Sequence, residues 1–248
     1  MKDRKFGVEL EFGFRGGYTA AESLLADAAE RGDCSWHWVR EMHQDGTLCE
    51  AKSAPLSGRA GFAELHRVMN LIRSNGGYIT QADGMHVHHD APDFIDDIEA
   101  VIRLVKSWVA MRPQIEKLVR AERRNYGACL PWSTADVKLL EVFAEDPKAR
   151  ETKVDQGLLP AVASRNDFKD ANWSRRDLNI ASLSVHGTIE VRLHQGCLDP
   201  RRAEAWIRLC QGLLNKAATI KNPVEAPKNK AELLRVLRAA KISQEVYA

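Results

Sequence analysis

Three short segments alternate apolar and polar residues with a period of two, and in each the polar set is built from groups that bind cations. In FGVELEF, residues 6–12, Phe6, Val8, Leu10 and Phe12 alternate with Gly7, Glu9 and Glu11. In MHVHHD, residues 85–90, Met85 and Val87 share one face while His86, His88 and Asp90 share the other. In TIEVRLH, residues 188–194, Ile189, Val191 and Leu193 oppose Thr188, Glu190, Arg192 and His194. Side chains at i and i+2 of a strand point the same way, about 7 Å apart, so each segment reads as a strand with one buried face. Two carboxylates at that spacing repel. Glu9 and Glu11 therefore form either the solvated face of an edge strand, protected against aggregation, or a pair of hard oxygen ligands for divalent cations.

The three strands together favour ligands. His86 alone suits a hydrogen-bonded structural histidine, and Glu190 with Arg192 suits ordinary cross-strand ion pairing. A solvated face usually carries Lys, Thr, Ser and Gln, however, and none of these three strands places a lysine there. In one sheet, their polar sides would gather Glu9, Glu11, Glu190, His86, His88 and Arg192, the composition of a metal and phosphate site. Glu50, in LCEAKSAPL just after Asp45-Gly46, adds a fourth carboxylate that could complete a second cation position.

Helical patterns fill the intervals. YTAAESLLADAAERG opens with Thr19 and Glu22 in capping-box spacing and closes on Gly32. AGFAELHRVMNLIRSNGG ends at a glycine pair, and DFIDDIEAVIRLVKSWVAMRP is a long amphipathic helix stopped by Pro113. A further helical stretch carries RAERRNY, and Asp199 with Pro200 launches a last long helix. Asp45-Gly46 marks a hairpin, and residues 145–175 read as a polar, irregular loop. Strict β-α-β alternation is absent and the strands are amphipathic, which predicts an α+β fold, a largely antiparallel sheet with helices packed on one face. One domain over residues 1–220 is expected, followed by a helical tail over 221–248.

Composition narrows the function classes. With 248 residues and 44% apolar content the chain can bury a substantial core, and a net charge of +2 gives no sign of a nucleic-acid or anionic-membrane partner. No apolar run reaches membrane-span length, and MKDRKFG lacks the apolar core of a secretion signal, so a cytoplasmic protein is expected. Five cysteines, none in C-x-x-C spacing, read as reduced, buried small hydrophobes.

FGVELEF, DGTLCEAKSAPL, DGMHVHHD, RRNYGAC and DLNIASLSVHGTIEVRLHQGCLDPRRAEAWIRL, in that order, resemble the amidoligase family of the glutamine synthetase-like carboxylate–amine ligase superfamily. The resemblance spans about residues 5–218 and implies a glutamine synthetase-like catalytic domain using ATP with Mg2+, or Mn2+ in its place. It implies metal ligation by Glu9, Glu11, Glu50, His86 and Glu190, with Glu11 and Glu50 at one ion and Glu9, His86 and Glu190 at the other. His88 and Arg192 would contact ATP phosphates, Arg123 would face substrate or phosphate, and Arg124 would be its neighbour. Glu190, Arg192 and Arg123 would then be the catalytic set, and the substrates a small-molecule or peptide carboxylate and an amine. Two other readings remain open from the residues. His86, His88 and Asp90 spell H-x-H-x-D, a ligand string of metal-dependent hydrolases, and the fold could also serve a nucleotide-binding protein without turnover.

Overall fold

The computed structural model describes residues 3–39, 49–95, 97–124, 127, 129–145 and 175–236. The Asp45-Gly46 turn, Asn125 and Tyr126 of RRNY, the 146–174 stretch and the last residues of the tail lie outside the described residues. Among the described residues, seven strands make one sheet: β1 (Phe6–Phe14), β2 (Trp36–Val39), β3 (Cys49–Ser53), β4 (Gly77–Tyr78), β5 (Gly84–Asp90), β6 (Leu178–Asn179) and β7 (Thr188–Gln195). Their order is β2-β3-β1-β5-β7-β6, with β4 paired to the end of β1, and every pairing is antiparallel. Among the described residues the helices are α1 (Gly17–Glu30), α2 (Gly58–Ser74), α3 (Pro92–Ile95), α4 (Ile98–Ile115), α5 (Thr134–Glu145), α6 (Ser182–His186), α7 (Pro200–Ala217) and α8 (Lys230–Val236). This is the α+β architecture expected from the alternating strands.

The apolar face of the sheet meets helices. Phe6 stacks on Phe62 of α2 at 4.8 Å and His194 packs on Trp206 of α7 at 4.9 Å, while within the sheet Phe12 meets Trp38 of β2 edge-on at 5.7 Å. Val8, Leu10, Met85, Val87, Ile189 and Val191 are almost wholly buried on that face. Burying several aliphatic and aromatic side chains, each worth about 1.5–3 kcal/mol, fixes which face each strand presents, because a one-residue slip would turn the whole set to solvent. Four of the five cysteines are buried, and all five are free thiols.

Local structure departs from the sequence pattern in five places. The α1 helix begins at Gly17 with Gly16 as its N-cap and no side-chain cap, so Thr19 and Glu22 lie inside the helix and form no capping box. Gly32 does end it, at φ 72°, a left-handed conformation that glycine adopts without a Cβ clash. The long helix is split: Asp97 caps α4 by accepting from the Ala100 amide at 2.9 Å. Pro113 sits within α4 without stopping it; it removes one amide near the helix end, where buried Met111 and Ile115 hold the final turn in the core. The RAERRNY helix is only a 3-10 turn, Ala121–Arg123, in the described residues.

The fifth departure matters most for the site. The β5–β7 register shifts between Met85 and Val87, so that Met85 pairs with His194 while Val87 pairs with Val191. Arg192 and Leu193 together face His86, a bulge on β7. Beyond it the alternation is reversed. His194 therefore lies on the apolar face against Trp206 and not beside Glu190 and Arg192, contrary to the strict period-two reading.

Candidate cation site on the sheet

The open face of the four central strands collects the charged residues by register. Glu9 pairs with His86 of β5 and Lys52 of β3, Glu11 pairs with Glu50, and His88 pairs with Glu190. His86 sits among three carboxylates: its Nδ1 is 3.5 Å from Glu9 Oε2 and 3.7 Å from Glu190 Oε1, and its Nε2 is 3.9 Å from Glu11 Oε1. His88 Nε2 lies 3.7 Å from Glu9 Oε1 and 3.9 Å from Glu190 Oε1. On its other side, His88 Nδ1 contacts Thr188 Oγ1 at 3.0 Å and Ser182 Oγ at 3.2 Å, which orients the ring. Glu190, Glu50, Glu11 and His86 are nearly buried, whereas Glu9 retains 21% exposure.

Each carboxylate has a defined anchor. Asn179 of β6 donates to Glu190 Oε2 at 2.6 Å, and Arg192 donates to Glu190 Oε1 at 2.5 Å. Glu11 Oε2 accepts from the Gly84 amide at 2.5 Å. Lys52 Nζ bridges Glu9 Oε1 at 3.0 Å and Glu50 Oε2 at 3.3 Å. Glu11 and Glu50 face each other directly, a like-charge pair that destabilises a sheet unless cations or donors intervene. Burial alone would raise the Glu9 carboxyl, but the neighbouring His86 and His88 imidazoles and the hydrogen bond from Lys52 hold it well below the usual carboxylate range. Burial pulls Lys52 down while Glu9 and Glu50 push it up, and the balance is a raised pKa that keeps the ammonium charged.

Gly84 and Arg123 close the site from below. A Cβ at Gly84 would lie 2.8 Å from Arg123 Nη2 and 3.1 Å from both Glu11 Oε2 and His86 Nε2, so any side chain there would push these three groups apart. Arg123 is 1% exposed and donates to the Arg192 carbonyl at 3.1 Å. Arg124 points elsewhere, with Nη2 3.4 Å from the Val119 carbonyl.

The donor set fits a hard divalent cation. Two groupings bring one ligand atom from each of three residues within 4.8 Å of one another: Glu9, Glu50 and His86, and Glu9, His88 and Glu190. Carboxylate oxygens with an imidazole suit magnesium or manganese. The division differs from that implied by the resemblance, since Glu9 belongs to both groupings and Glu11 is instead turned to the Gly84 amide. Asp90 is on the same face of β5 but in neither grouping. The buried Asn179 Oδ1 has no hydrogen-bond partner, an orphan acceptor at the rim of the second grouping.

A cavity of about 560 Å3 adjoins Glu9 and His88 and runs over Gly7 toward Lys5, His37, Lys52, Pro55, Asp90 and His186. That volume falls in the range of sites for small molecules and cofactors. Sequence reasoning gave no role to Lys52 or Asn179. Lys52 lies two residues after Glu50 and so shares its face, a signal readable once LCEAKS is taken as a strand.

The fold and face together define an α+β protein with an acidic and imidazole-lined pocket, of a kind suited to cations and the anions they bind. Residues 37–214, well over half of the chain, match the family model described as "Putative amidoligase enzyme". The chain belongs to this amidoligase family. The match begins after β1, yet β1 is hydrogen-bonded between β3 and β5, both inside the matched span, so Glu9 and Glu11 enter the site through the sheet. Comparison with curated proteins gives no match. Among the described residues, no helix is long and apolar enough to cross a membrane.

Proposed function

We propose that the protein is an ATP-dependent carboxylate–amine ligase built on a glutamine synthetase-like catalytic domain. One observation carries the reading: Glu9, Glu11, Glu50, Glu190, His86 and His88 meet on one face of adjacent strands, with Arg192 on Glu190. A carboxylate does not condense with an amine at neutral pH because its oxygen leaves poorly. Transfer of the γ-phosphoryl group of ATP to that oxygen releases ADP and gives an acyl phosphate. The amine then attacks the acyl carbon, phosphate leaves with the C–O bonding pair, and the nitrogen loses a proton to give the amide.

Phosphoryl transfer asks a protein chiefly for positioning and for cancellation of charge. Bound Mg2+, or Mn2+, would supply Lewis-acid stabilisation of the phosphate oxygens, held by Glu9, Glu50, His86 and Glu190 with Glu11 alongside. Arg192 would present its planar fork to the transferring group, and His88, oriented by Thr188 and Ser182, would donate to a phosphate oxygen. Arg123 would hold the Arg192 backbone in place and face the reacting carboxylate. The cavity beside His88 would take the nucleotide, and Arg124 would act only through its turn. The acceptor is proposed to be a small-molecule or peptide carboxylate, its partner an amine, and the setting the cytoplasm, where free thiols and ATP coexist.

The test is ADP release from MgATP across a panel of acids and amines. ADP should form when both substrates are present and only leak slowly otherwise. Arg192→Lys should lose most turnover with the fold intact, since it keeps charge but not the fork, and Glu190→Gln should abolish it. Asp90→Asn should be mild. An inactive Asp90→Asn beside active Glu9→Gln and Glu190→Gln would assign the hydrolase chemistry of His86, His88 and Asp90 instead. Nucleotide binding without turnover under every condition would leave a binding protein.

A further inference from the structure

Lys52 occupies the space where a cation on Glu9 and Glu50 would sit. Its Cα lies directly across from Glu9 in the β1–β3 pair, and its Nζ reaches Glu9 Oε1 at 3.0 Å and Glu50 Oε2 at 3.3 Å. The same two carboxylates belong to the Glu9, Glu50 and His86 grouping. Magnesium binds oxygen at about 2.0–2.1 Å, so an ion on Glu9 Oε1 would lie at most about 5 Å from an ammonium that shares that oxygen. A doubly charged ion and an ammonium at such a distance repel, and the Glu50 carboxylate between strands is nearly buried, where screening by water is weak.

We infer that Lys52 is a resident counter-ion of the Glu9–Glu50–His86 position, which takes a divalent cation only when the Lys52 ammonium is displaced. The inference rests on the cation-site reading above and adds to it a residue that sets how tightly that position loads. The ammonium performs a definite task in the metal-free protein: it neutralises the facing pair Glu11 and Glu50 from the Glu50 side and one oxygen of Glu9. A flexible four-carbon stem permits its release, and Lys52 already lines the adjoining cavity, which gives the displaced group a solvated place to go. The second grouping shares Glu9 with the first, so Lys52 reaches it at Glu9 Oε1, but its other carboxylate is Glu190 in place of the Lys52-bound Glu50, and its cation affinity should change less than that of the first position when Lys52 is replaced.

The experiment is a titration of the full chain with Mn2+ alone, free ion being read by electron paramagnetic resonance, for wild type and for Lys52→Met, Lys52→Gln and Lys52→Arg. Thermal melts in chelator establish that each variant is folded. Lys52→Met and Lys52→Gln should tighten the weaker class of Mn2+ sites about tenfold or more, because a competing charge is gone. Lys52→Arg keeps a cation over the carboxylates and should leave that class as weak as in wild type. Two variants without charge guard against one that fails to fold. Identical Mn2+ isotherms for all four proteins would overturn the inference while leaving the cation site and the ligase reading intact. No Mn2+ binding by any of them would overturn the inference together with the cation site.

Discussion

Asn179 donates its amide to Glu190 Oε2 at 2.6 Å, across the short β6–β7 pair. The other oxygen of Glu190 takes Arg192 at 2.5 Å, so both lone-pair sets of this buried carboxylate are directed by neighbours on the sheet. A ligand held this way needs no rearrangement when a charge arrives, which is the condition for electrostatic catalysis by a rigid site.

Asn179→Asp tests that arrangement. It removes the donor and sets a second carboxylate against Glu190, so the metal-free protein should lose about 1–3 kcal/mol of stability. Added Mn2+ should recover more of the melting temperature in this variant than in wild type, because the new charge is neutralised. Equal melting behaviour of the two proteins in chelator would show that the Asn179 bond contributes nothing.

Gly84→Ala tests the convergence beneath the site. The added methyl would stand 2.8 Å from Arg123 Nη2 and 3.1 Å from Glu11 Oε2 and His86 Nε2. Overpacking of this kind costs about 1–3 kcal/mol. The expected outcome is a folded protein with weakened Mn2+ binding and little turnover, read by calorimetry and by ADP release. Wild-type metal affinity in Gly84→Ala would show that Glu11 and His86 do not need this close approach.

Two buried histidines should make stability depend on pH. Burial, with Arg4 and then His88 nearby, lowers His89 from 6.5 to about 3. Burial likewise lowers His194 from 6.5 to about 4, against a hydrogen bond to the Gln195 carbonyl. Both are neutral in the native state while the unfolded chain takes up protons below 6.5. Their contribution is therefore complete above 6.5 and is lost as pH falls toward the folded values, at up to about 1.4 kcal/mol per pH unit for each. Asp177 acts in the opposite sense: burial raises it from 3.8 to about 6, so the native state keeps a proton that the unfolded chain gives up, and stability is gained as pH falls through that window. Two histidines outweigh one aspartate between pH 6 and 4. The melting temperature should fall from pH 7 to pH 5, and His89→Leu should flatten the fall. An unchanged slope in His89→Leu would remove His89 from the account.

The faces of the strands were legible because the alternation runs unbroken over β1 and over Met85–His88 of β5, which placed Glu9, Glu11, His86 and His88 on one side. In β7 the same reading worked for Glu190 and Arg192 and failed for His194, since nothing local in RLHQG announces a bulge whose cause is the pairing with β5. Lys52 was overlooked for a related reason: its importance comes from lying across from Glu9, and strand partners depend on contacts far apart in sequence. Pro113 and the Thr19–Glu22 spacing misled in the other direction. Both are local signals, overridden by buried Met111 and Ile115 in one case and by a helix that starts earlier, at Gly17, in the other.

The most direct measurement of the central claim follows a heavy oxygen isotope. Once the substrate panel has given an acid and an amine that together release ADP, the acid is supplied with its carboxylate oxygens labelled, and the products are weighed by mass spectrometry. Formation of the amide through an acyl phosphate transfers one labelled oxygen from the acid to the released inorganic phosphate, with ADP and amide in equal amounts. Phosphate free of label, or label appearing in AMP, would contradict the account.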